Sequence, residues 1–102
     1  MERIETTIIR NLIHNEDFSR KVIPFLEPTY FERRSEKILF EEISSFIVKY
    51  GSAVTIEALN IEVENRNDVT DDEVKEIKEI NQNLNDSPVD QQWLFDVTEK
   101  WC

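Results

Sequence analysis

Five carboxylates crowd one stretch of this chain, Asp71, Asp72, Glu73, Glu76 and Glu79. Hard divalent cations take several oxygen ligands, so such a run raises the question of a metal site. The spacing argues otherwise. A calcium-binding EF-hand loop needs a glycine at its turn, and this stretch has none. Acids in the first turn of a helix are what the macrodipole favours, and those further along form a solvated face. His14 is the only imidazole. It has no Cys or second His with which to share a metal, and no patterned serine to activate. The single cysteine, Cys102, excludes both a disulfide framework and a thiolate zinc site. Trp93 and Trp101 could stack nucleobases, but such platforms interleave basic residues and the last helix offers only Lys100. Their spacing reads as core packing instead, with Trp93 on the inward stripe. The lone glycine, Gly51, cannot build a phosphate-cradling loop, which needs two or three glycines close together. No catalytic, cofactor-binding or metal-ligating residue is assigned.

The elements that position these residues read as all-α, a small bundle of about five to six helices, because apolar residues recur at helical spacing almost throughout. A first helix is expected over about residues 2–13. Ile4, Ile8, Ile9, Leu12 and Ile13 form its inward stripe, with Arg3, Glu5 and Arg10 outside it. A short helix follows from about Asp17, carrying Phe18, Val22 and Ile23. Pro24 and Pro28 reduce residues 25–31 to a turn or a short helical piece. The longest helix spans about residues 34–50, with Leu39, Ile43, Phe46, Ile47 and Tyr50 on one face. Gly51 ends it as a left-handed cap. Thr55 caps a helix over about residues 56–65, with Ile56, Leu59 and Val63 inward and a polar loop after it. Thr70 and Glu73 form a capping box, worth about 1 kcal/mol for the cap. The helix it opens carries Val74, Ile77, Ile80 and Leu84 and closes at Asn85 and Asp86. Ser87 and Pro88 then read as N-cap and first position of the last helix, with Asp90 in its first turn. Trp93, Leu94, Val97 and Trp101 share one face of that helix. It reaches Cys102 with no stop signal, which implies that the chain was cut or continues.

With 102 residues, 39% of them apolar, the chain can fill one core without staples. No apolar run approaches the roughly 18 residues needed to span a bilayer, and the first ten residues hold no secretory segment. A cytoplasmic protein is expected. The net charge of −10 is unevenly placed, with residues 1–56 at −1, residues 57–86 at −7 and the remainder at −2. Strong nucleic-acid binding is therefore not expected, since affinity for the phosphate backbone comes chiefly from Lys and Arg. Val48, Ile61 and Phe95 fall off the main stripes of three separate helices. They form the candidate surface for a partner or for oligomerisation.

Three segments carry a resemblance: Pro28-Thr-Tyr-Phe-Glu-Arg-Arg-Ser-Glu-Lys-Ile-Leu-Phe-Glu-Glu-Ile43, Ala58-Leu-Asn-Ile-Glu-Val-Glu-Asn65 and Asp86-Ser-Pro-Val-Asp-Gln-Gln-Trp-Leu94. Through them the chain resembles the N-terminal domain of DnaB-type replicative DNA helicases, in the version found in T-even-type tailed phages. The resemblance covers residues 4–101 and rests on packing residues. Residues 65–86 are shorter and more acidic than the corresponding stretch of bacterial members. The resemblance implies a single N-terminal domain over residues 1–102, truncated from a longer helicase whose RecA-like motor follows. It implies no catalytic residues here, while the parent hydrolyses ATP or GTP with Mg. The implied partners are primase, neighbouring protomers of a hexameric ring and, in phage systems, a helicase loader; no membrane is implied. The competing reading is a small acidic phage adaptor or DNA mimic. A mimic spreads its carboxylates like a phosphate backbone, whereas residues 1–56 are nearly neutral.

Overall fold

Seven successive residues of the first helix, Thr7 to Ile13, are buried. No amphipathic surface helix has that pattern; it requires a helix walled on several sides. The computed structural model describes residues 3–84 and 89–101. In it α1 (Ile4–His14) packs against α2 (Glu16–Val22), α3 (Arg34–Tyr50) and α6 (Gln91–Trp101). Arg10, expected outside the stripe, is only 9% exposed. The apolar stripe identified one wall correctly, but sequence periodicity does not report how many neighbours a helix will have. The start of α1 is tied to α3 by Arg3, which donates to buried Glu36 at 2.8 Å and also reaches Glu5 at 3.2 Å.

After α1, Asn15 caps α2 by accepting from the Phe18 amide at 3.1 Å. The proline-bearing segment forms two 3-10 turns, Ile23–Phe25 and Pro28–Tyr30, so the expectation of a turn or short helical piece holds. Phe31 then enters the core and stacks on Phe40 of α3, ring centroids 5.3 Å apart. Gly51 ends α3 at φ 69°, where a side chain would be strained, and its amide donates to the Ile47 carbonyl at 2.8 Å. Tyr50, expected inward, is 56% exposed in the last turn of α3.

Thr55 caps α4 (Ile56–Glu64) and the Thr70–Glu73 capping box opens α5 (Asp71–Gln82). These two helices pack on α3 and on each other. Leu84, expected on α5, lies past its end yet is buried. The expected boundary residues Asn85, Asp86, Ser87 and Pro88 lie outside the described residues. Asp90 supplies the start of α6. Its carboxylate accepts from the Trp93 amide at 2.8 Å and its carbonyl from the Leu94 amide at 3.0 Å, an N-cap arrangement in place of the first-turn position expected.

The inward face of α6 differs from the expected one. Leu94 and Thr98 are buried and Trp101 packs on the core, whereas Trp93 is 47% exposed. Among the described residues every regular element is helical, and the all-α bundle read from the sequence is the fold. Its radius of gyration is 12.8 Å, close to the roughly 13 Å of a compact domain this long.

Candidate interaction surfaces

Residues 65–70 are held by two arginines. Arg66 donates to Glu42 at 2.9 Å and Glu41 at 3.2 Å on α3, and to Asp68 at 2.7 and 2.8 Å. Arg34, from the first turn of α3, donates to Glu73 at 2.6 Å and to the Asp68 carbonyl. The hydrogen bonds from Arg66, reinforced by its charge, hold the Asp68 carboxyl down at about 2. Glu73 is also lowered, first by the Thr70 amide of the capping box and then by Arg34. These carboxylates are therefore used in closing the loop onto α3. Asp71, Asp72, Glu76 and Glu79 remain exposed along α5, and among the described residues no three His, Cys, Asp or Glu side chains gather as a metal set.

The other chemistry-bearing residues are occupied in packing or capping. His14, exposed in the last turn of α1, approaches the Leu84 carbonyl at 2.7 Å through Nε2. A carbonyl only accepts, so that nitrogen donates. Trp101 lies 4.9 Å from Phe31 and 6.0 Å from Tyr30 between ring centroids, while Trp93 is turned outward. The two indoles therefore form no shared platform.

Of the three off-stripe residues, Val48 is 81% and Ile61 55% exposed, whereas Phe95 is half-buried. Phe95 packs on buried Phe18 with centroids 5.6 Å apart, and the Lys21 ammonium stands 5.4 Å from its ring. It lines a groove of about 710 Å³ between α2, the first 3-10 turn and α6, together with Val22, Leu26, Phe25 and Thr98. A smaller cleft of about 180 Å³ between α3 and α4 is lined by Phe46, Lys49, Tyr50 and Glu62. Neither depression includes Val48 or Ile61 in its walls. Phe25, 75% exposed at the edge of the larger groove, was not among the sequence candidates. The available signal was an aromatic residue between two prolines, in a segment too short to bury it. Among the described residues no helix is long and apolar enough to cross a membrane.

No family model matches the chain. It is 36% identical, over 94 residues and 92% of its length, to a DnaB-like replicative helicase of Enterobacteria phage T4. The match spans 20% of that relative's length. The resemblance read from the three packing segments is borne out, and the chain is related to this helicase across nearly all of its sequence.

Proposed function

We propose, on the premise of that kinship, that the chain is the non-catalytic N-terminal domain of a hexameric replicative DNA helicase, where it serves ring assembly and partner docking. The observation that carries the reading is homology over nearly the whole chain to one fifth of a helicase. The composition agrees. The one glycine is spent on capping α3, so this domain has no glycine-rich loop for a nucleotide. In this reading NTP hydrolysis, with ATP or GTP and Mg, belongs to a motor elsewhere in the parent, acting in the cytoplasm of the host. The domain's own work is contact with primase, with neighbouring protomers and with a helicase loader. Strong direct DNA binding is not part of this reading, because affinity for the phosphate backbone comes chiefly from Lys and Arg and the chain carries a net charge of −10.

The test is a pull-down of the cognate primase on immobilised domain, run beside a phosphate-release assay. Retention of primase with phosphate release at background supports the reading. NTP turnover by the purified domain, or failure to retain primase, contradicts it. An acidic DNA mimic would instead compete with DNA for a DNA-binding protein.

A further inference from the structure

Helix α6 offers two overlapping inward faces, and the one it buries contains a flaw. At about 100° per residue, Leu94, Thr98 and Trp101 lie along one line of the helix. Leu94 and Thr98 are buried and Trp101 packs on the core. Thr98 is 3% exposed, and its hydroxyl has no hydrogen-bond partner among the described residues. A hydroxyl buried without a partner is costly, so this packing carries a penalty. The adjoining line, Trp93, Leu94, Val97 and Trp101, contains no charged or hydroxyl-bearing side chain. Yet Trp93 stands 47% exposed and Val97 is half-buried. Contacts on the opposite flank hold the observed face in place. Phe95 packs on Phe18 with ring centroids 5.6 Å apart, and the Asn15 amide donates to Gln91 at 2.8 Å.

We propose that α6 is a two-position helix, which turns about its own axis between the observed face and one that buries Trp93 and Val97 in place of Phe95 and Thr98. A turn of about 50° suffices, half the angle between successive residues. Leu94 and Trp101 belong to both lines and stay inward throughout. The turn releases the Thr98 hydroxyl toward water and covers an exposed indole. It gives up the Phe95 contact with Phe18 and the Asn15 hydrogen bond to Gln91. One aromatic side chain replaces another against the core, so the two positions differ little in buried apolar area. Room for the movement exists, because the groove of about 710 Å³ borders Phe95 and Thr98 on the side toward which they would swing. The consequence is an exchange of surfaces. One position presents Trp93 and the other Phe95, and a partner touching α6 selects between them. The device belongs to this chain's own packing and does not depend on the helicase reading.

The test is fluorine NMR of the chain labelled with fluorotryptophan, the two signals being assigned with Trp93→Phe and Trp101→Phe. The Trp93 signal should show exchange on the microsecond-to-millisecond timescale with a second state populated at about 1–10%. Gln91→Ala removes the bond from Asn15 without touching the core, and it should raise that population about fivefold. Thr98→Val keeps the shape and deletes the hydroxyl. It should lower the population about tenfold and raise the melting temperature. A single Trp93 signal free of exchange in both wild type and Gln91→Ala would overturn the proposal. So would a Thr98→Val chain that melts below wild type or keeps the wild-type population. Exchange shared equally by backbone amides of α3 and α5 would also overturn it, because that pattern reports unfolding of the domain and not the turning of one helix.

Discussion

Asp68 is a residue whose ionisation is coupled to the fold. Its carboxyl is lowered from 3.8 to about 2 by the Arg66 hydrogen bonds, so the folded state holds its proton more weakly than the unfolded one. The resulting contribution to stability is fully present above the unfolded value. It is lost as pH falls through the folded one, between about pH 4 and pH 2. Acid melts should therefore show a fall in stability across that window that is smaller in Asp68→Asn, with the lowered Glu73 still contributing; identical profiles would contradict the assignment. Trp93 and Leu94 give a second test at this scale. Leu94 is fully buried, and Leu94→Ala should cost about 2–5 kcal/mol. Trp93 is nearly half exposed, and Trp93→Ala should cost about 1 kcal/mol or less. Thermal melts of the two variants separate the observed face of α6 from the one that sequence periodicity favours. Trp93, Val97 and Trp101 recur as regularly as Leu94, Thr98 and Trp101. The sequence alone offers no reason to rank a buried threonine above an exposed tryptophan.

Helix ends were the most legible elements because capping is local chemistry. Gly51, Thr55 and the Thr70–Glu73 box all occupy the roles that their types and spacing imply. Replacing Thr70 with Ala should cost about 1 kcal/mol, because the Glu73 amide loses its acceptor. Gly51→Ala should cost a similar amount, about 1 kcal/mol, by forcing a side chain into the left-handed region although the space around it is open. Denaturant titration of both variants checks these values; an unchanged midpoint for either would contradict the cap. Burial was less legible than the caps. Arg10 is buried because α1 touches three helices, and no window of α1 encodes where α6 will lie. The candidate surface was legible in part. Val48 and Ile61 are exposed as an off-stripe position implies, while Phe95 leans on Phe18, which belongs to a different helix. Phe25 was hidden in a proline turn that periodicity does not describe.

At the scale of the molecule, charge and size govern association. Ten net negative charges on so small a domain oppose self-association, and a stable interface normally buries more than about 1,000 Å². The isolated chain should therefore be monomeric or weakly dimeric in the presence of reductant, although its proposed parent is a ring. A stable hexamer by light scattering would contradict this. The most direct test of the docking account is sedimentation of this chain with the primase of its own replication system, at physiological salt. The account predicts one faster-sedimenting complex that contains both proteins. Independent sedimentation of the two proteins at every concentration up to the limit of solubility would contradict it.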